Sequence, residues 1–192
     1  MKKRRLNFLF WIFLFSIVLK SCSKDDGVDL PGTGENSFRA KIEDRIFIPE
    51  DVHKFIGTTH GILCNVQENS WHMTFRNSSK KNIHIYLKDV NGPGKYRIGK
   101  LDDDFIFFTP TDTESAIGIS NGEDNYYGVA FASSNLHEQY LEVTKVEGDS
   151  IIIGSFKEII LKNQNNPEKI VKLTKGQFHI NTNNLNPPNY IE

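Results

Sequence analysis

The sequence predicts an all-β domain: an antiparallel meander of about ten strands forming a small barrel or a closed β-sandwich, with a calycin-like barrel among the forms it allows, after an N-terminal signal helix. Three observations predict this. Apolar and polar residues alternate with period two along most of the chain, as in Trp71, Met73 and Phe75 against His72, Thr74 and Arg76. Turn-forming clusters recur about every 10–15 residues. Beyond residue 21 no stretch sustains the amphipathic period that the helices of a βαβ fold require.

The chain begins with a basic cluster, Met1-Lys2-Lys3-Arg4-Arg5, followed by an almost wholly apolar run from Leu6 to Leu19. As a helix that run is roughly 21 Å long, short of the ~30 Å hydrocarbon core of a bilayer. Its length suits the apolar region of a secretory signal. Leu19-Lys20-Ser21-Cys22 closes it. A small residue before the cysteine and an aliphatic one two earlier resemble the bacterial lipobox, although Lys20 departs from the usual pattern. Cys22 is then the lipid-attachment residue and the first residue of the mature chain. An uncleaved N-terminal anchor is the alternative, and either reading holds the domain at a membrane. Residues 1–21 read as the signal peptide, 22–36 as a flexible acidic linker, 37–180 as one β domain and 181–192 as a loose tail.

The whole chain carries 23 Lys+Arg and 24 Asp+Glu, net −1. Residues 1–21 hold five of the bases and no acid, so the mature chain keeps 18 bases against 24 acids, net −6. Such a domain lacks the basic patch of a nucleic-acid binder. With Cys22 lipidated, Cys64 has no intramolecular disulfide partner and reads as a buried, inert thiol. Lys24-Asp25-Asp26, just after Cys22, looks like the surface-export signal of Bacteroidota lipoproteins. An ordinary solvated linker is the plainer reading of the same residues.

Within the domain, Phe38, Ala40 and Ile42 open a strand, and Arg45 to Ile48 follow within hairpin distance. Pro49 to Phe55 suits one helical turn, with Gly57 as its stop. In the next hairpin Ile83, Ile85 and Leu87 face the core, and His84, Tyr86 and Lys88 face out. If Arg76 pairs with Asn82, then Thr74 faces His84 and His72 is only a diagonal neighbour. Gly92-Pro93-Gly94 breaks the chain before Tyr96. Strands follow over 105–109, 115–120, 125–133 and 139–146. The last two arms, 150–162 and 169–180, both switch apolar parity partway, near Gly154 and Gly176. Matching switches predict one bend that crosses both strands and curls the sheet.

Phe38-Arg39-Ala40-Lys41-Ile42, Gly92-Pro93-Gly94-Lys95-Tyr96, Leu141 to Val146, Ile153-Gly154-Ser155-Phe156 and Thr174 to Phe178, with the lipobox and acidic linker, resemble uncharacterised Bacteroidota lipoproteins with a β-rich domain of unknown function. The resemblance covers most of residues 37–180. It implies an outer-membrane lipoprotein at the cell surface or the periplasmic face, and it carries over no catalytic residues.

No stretch spells out a reaction. Six histidines (53, 60, 72, 84, 137 and 179) lack the converging set that zinc needs. Asp102-Asp103-Asp104 and Glu123-Asp124-Asn125 lack calcium-loop spacing and read as solvated turns. Tyr126-Tyr127 with Phe131 reads mainly as core, with Tyr126 the one placed to stack on a sugar. No cofactor is implied. The chain therefore reads as a lipid-anchored binding or assembly module, with a glycan or an envelope protein as its partner. A hydrolase acting on an extracellular polymer is the competing reading.

Overall fold

The computed structural model describes residues 36–53, 58–79, 81–99, 114–121, 129–133, 138–163, 166 and 168–185. Its strands are β1 (Ser37–Ile42), β2 (Arg45–Phe47), β3 (Val52–His53), β4 (Thr58–Thr59), β5 (Ile62–Gln67), β6 (Ser70–Arg76) and β7 (Lys81–Leu87). They continue as β8 (Gly94–Ile98), β9 (Ala116–Asn121), β10 (Val129–Ser133), β11 (Gln139–Glu147), β12 (Ile151–Asn163) and β13 (Ile170–Asn181). A 3-10 turn, Thr182–Asn184, ends the described chain. The all-β antiparallel expectation holds.

One sheet runs β2-β1-β13-β12-β10-β9-β7-β6-β5, with β11 and β8 branching from β12. Its two ends, β2 and β5, do not pair with each other among the described residues, so the strands form a sandwich-like fold and not a closed barrel. Phe38 of β1 stacks on Phe75 of β6 with ring centroids 3.8 Å apart, although six ladders separate their strands in sheet order. The sheet must therefore fold over on itself. Between its layers lie Trp71, Met73, Phe75, Ile83, Ile85 and Ile117 from one side. Phe38, Leu141, Ile152, Phe178 and Ile180 come from the other. Burying each large apolar side chain contributes about 1.5–3 kcal/mol, which makes this core the main source of stability.

The bend predicted across the last two arms is present. In β12 the buried set passes from Ile152, Gly154 and Phe156 to Ile159 and Leu161, leaving Lys157 and Glu158 exposed. In β13 it passes from Leu173 to Gly176, Phe178 and Ile180. The switches coincide because Phe156 pairs with Gly176 and Glu158 with Thr174. Lys175, between them, has φ +52°, and β1 shifts register against β13 opposite the same point. The two glycines have a further role. Gly154 lies opposite Phe178 and Gly176 opposite Phe156, and a Cβ on either would overlap the facing ring. Each phenylalanine covers its partner's bare backbone, which explains the Gly-x-Phe spacing in both strands.

The branch point explains several buried polar residues. β12 pairs with β11 along Ile151–Ser155 and with β10 along Leu161–Asn163. Ile160 lies between the two partners. The Gln139 side-chain amide fills that gap, its Nε2 donating to the Ile160 carbonyl at 3.3 Å and its Oε1 accepting from the Ile160 N–H. Ser133 donates to the Gly99 carbonyl (2.7 Å), and Ser115 accepts from the Lys88 N–H (3.0 Å). Side chains thus supply hydrogen bonds where the regular ladder divides. At the tether end Asn36 acts similarly on Asn181, donating through Nδ2 to its carbonyl (3.1 Å) and accepting its N–H (2.6 Å).

Three local expectations are corrected. Val52–His53 is a strand paired with Thr58–Thr59 and not part of a helical turn, because backbone pairing claims it. Tyr86 and His84 are buried and do not face water, because side chains of the neighbouring strands pack against them: Thr74 and Ser120 bond His84, and His72 lies against Tyr86. The first residues of the tail are held: Thr182 donates to the Asp149 carbonyl (3.0 Å), and Leu185 packs against the core. The expected strand at 105–109 lies outside the described residues, as does the tail from residue 186.

Candidate functional site

The core-distant face of β6, β7 and β9 carries a ladder of polar side chains. Register sets it in rows. Tyr86 pairs with His72 on one side and Ala116 on the other, His84 with Thr74 and Gly118, and Asn82 with Arg76 and Ser120. Thr74 Oγ1 lies 3.1 Å from His84 Nδ1, and Ser120 Oγ lies 2.9 Å from His84 Nε2. Asn82 Nδ2 donates to Ser120 Oγ at 3.2 Å. The His72 and Tyr86 rings meet at 4.5 Å, tilted by 54°.

The electrostatics are specific. Burial pushes the His84 imidazole down to about 4, with the Arg76 positive charge adding to the effect. Burial also lowers His72 and Arg76 from their ordinary values. At neutral pH His84 is an uncharged hydrogen-bonding ring. In its neutral form one ring nitrogen donates and the other accepts, and the Thr74 and Ser120 hydroxyls can complete either tautomer.

Serine, histidine and threonine in line resemble a nucleophile, base and orienting group. Two features oppose that chemistry. A general base must carry the serine proton through the transition state, and here burial and Arg76 both disfavour the imidazolium. The orienting group is a neutral hydroxyl, which supplies none of the charge stabilisation of a buried carboxylate. The arrangement is a row of neutral polar groups that bond one another, with Thr74 and His84 buried and Ser120 and Asn82 at its more exposed end.

The remaining sequence candidates separate. Cys64 pairs with Met73 and packs, partly buried, against the core, where burial pushes its thiol up to about 12. His60 Nδ1 lies 3.6 Å from Asp51, and His53 bonds Thr58 at 3.1 Å. His84 has both nitrogens engaged, so the His72–His84 diagonal offers no shared metal site. Among the described residues no three His, Cys, Asp or Glu side chains group as metal ligands, and no helix is long and apolar enough to cross a membrane. Gly92 to Tyr96 is structural: the Tyr96 hydroxyl donates to the Gly92 carbonyl at 2.5 Å. Cys22, His137, Tyr126, Tyr127, Asp102 to Asp104 and Glu123 to Asn125 lie outside the described residues.

The pairings of Thr74 with His84 and of Arg76 with Asn82 follow from hairpin register and were legible in the sequence. Ser120 was not, because 32 residues lie between Leu87 and Ser120, including the Gly92-Pro93-Gly94 breaker, and nothing local assigns β9 to the free edge of β7. No protein-family model, no curated protein and no solved structure matches this chain.

Proposed function

We propose that this chain is a lipid-anchored envelope or surface lipoprotein of the outer membrane, attached through Cys22, and that its β domain is a non-enzymatic binding or assembly module. The observation that carries the binding reading is the Thr74–His84–Ser120–Asn82 ladder, in which a histidine of suppressed basicity serves as a fixed hydrogen-bonding group. The position of the ladder supports it. Every step from β1 to β6 along the sheet is antiparallel, and six steps make β1, β12, β9 and β6 run in one direction. β1 starts at Ser37, just after Asn36 where the tether enters, whereas Arg76 and Ser120 lie at the far ends of β6 and β9. A domain tethered at residue 36 would present this ladder end away from the lipid.

Two experiments test the proposal. Metabolic labelling with a fatty-acid analogue should mark the wild type and spare Cys22→Ala; label retained in the variant overturns the anchor. Incubation of the full chain with glycan arrays and envelope extracts should give binding that Ser120→Ala or Asn82→Ala weakens. The Ser120–His84–Thr74 line is the observation favouring a hydrolase of an extracellular polymer. Covalent labelling of Ser120 by a fluorophosphonate, together with polymer cleavage, would replace the binding reading with that one.

A further inference from the structure

The charged group of the ladder is the one whose chemistry is least used. Arg76 is half-buried, yet no carboxylate among the described residues pairs with its guanidinium. The nearby acids are committed elsewhere. Glu50 accepts the Ser78 hydroxyl at 2.8 Å, and Asp51 accepts the Gly61 N–H at 2.7 Å and faces His60. A partly desolvated cation without a counter-ion costs stability. An anionic ligand would supply the missing charge.

We propose that Arg76, Asn82 and Ser120 form a subsite for the carboxylate of an acidic, uronate-type saccharide. This rests on the binding-module reading and names its ligand class. A guanidinium fork matches a carboxylate with two parallel hydrogen bonds. Within this row Arg76 is the single charge beside the neutral Asn82 and Ser120, which matches a monoanion and not a polyphosphate. Asn82 is the residue paired with Arg76, and Ser120 the residue paired with Asn82, so the three form one row across three strands. Asn82 spends one Nδ2–H on Ser120, which leaves its other N–H and its Oδ1 to meet sugar hydroxyls. A peptide carboxylate fits less well. β6, β7 and β9 are each hydrogen-bonded on both sides, so no strand edge at this row is open to an added peptide strand.

The test uses the full chain in detergent micelles, titrated calorimetrically with trigalacturonate, its methyl ester, a neutral trisaccharide and a tripeptide with a free carboxylate. Trigalacturonate should bind about tenfold or more tightly than its ester, the difference expected of a lost charge-assisted bidentate contact. Arg76→Gln should erase that preference, and Arg76→Lys should restore only part of it. Because Arg76 has no carboxylate partner among the described residues, Arg76→Gln should leave the thermal midpoint unchanged or raise it. Equal affinity for acid and ester, or unchanged acid binding by Arg76→Gln, overturns the carboxylate subsite while leaving the binding module standing. Preference for the tripeptide, or a lowered midpoint in Arg76→Gln, also overturns the subsite. Fluorophosphonate labelling of Ser120 with cleavage of the trisaccharide overturns the binding module itself.

Discussion

Acidification should destabilise this domain through His84, and the size of the effect follows from its surroundings. The imidazole titrates near 6.5 when unfolded and about 4 when folded, because burial and Arg76 disfavour its charged form. Between those values the unfolded chain binds more protons than the native one, so stability falls as pH falls. The contribution is whole above about pH 6.5 and is lost progressively toward pH 4. At about 1.4 kcal/mol per pH unit, the full loss is about 3 kcal/mol. His84→Gln removes the titration and costs about 1 kcal/mol at every pH through the altered bonds to Thr74 and Ser120. Other groups, including the half-buried His72, are common to both proteins and cancel in the comparison. Urea unfolding at several pH values, followed by the fluorescence of the buried Trp71, measures the difference. Wild type should lose about 3 kcal/mol more than His84→Gln between neutral pH and pH 4. Parallel pH profiles would refute the buried, neutral histidine and with it the electrostatic case against a Ser120–His84 nucleophile.

Gln139→Leu should lower stability by roughly 1–3 kcal/mol, because it strands the Ile160 N–H and carbonyl where β12 changes partners. Faster amide exchange at Ile160 would localise the loss, and an unchanged urea midpoint would refute it. Gly176→Ala should cost about 1–3 kcal/mol by forcing a Cβ into the Phe156 ring. Combining it with Phe156→Leu should cost less than the sum of the single changes; strict additivity would show that the ring does not set the requirement for glycine. Cys64 should react with a thiol reagent far more slowly in the folded chain than in the unfolded one, since partial burial pushes its thiol up to about 12. Rapid modification of the folded chain would place that thiol at the surface.

Local pattern made much of the fold legible. Alternation located the β6–β7 hairpin and its register, since a one-residue slip would turn Trp71, Met73 and Phe75 out of the core. Matching parity switches in two arms located the bend at Phe156–Glu158 and Thr174–Gly176. Alternation failed at His84 and Tyr86. It reports which residues prefer the core side of a strand, not whether other groups cover the opposite side.

The sequence by itself determined the strand class, the local hairpins, the bend and the partnering of Thr74 with His84 and Arg76 with Asn82. Those features rest on period-two hydrophobicity and on neighbours close along the chain. Tertiary structure decided that β9 lies beside β7, which brings Ser120 to His84 and Asn82. It also decided that β12 has two different partners on one edge, which gives Gln139 its role. Pairing between distant strands depends on how the whole sheet folds over its core, and no single stretch of sequence encodes that. Burial then lowers the basicity of both His84 and Arg76, so the chemistry of this face is a product of the assembled sheet.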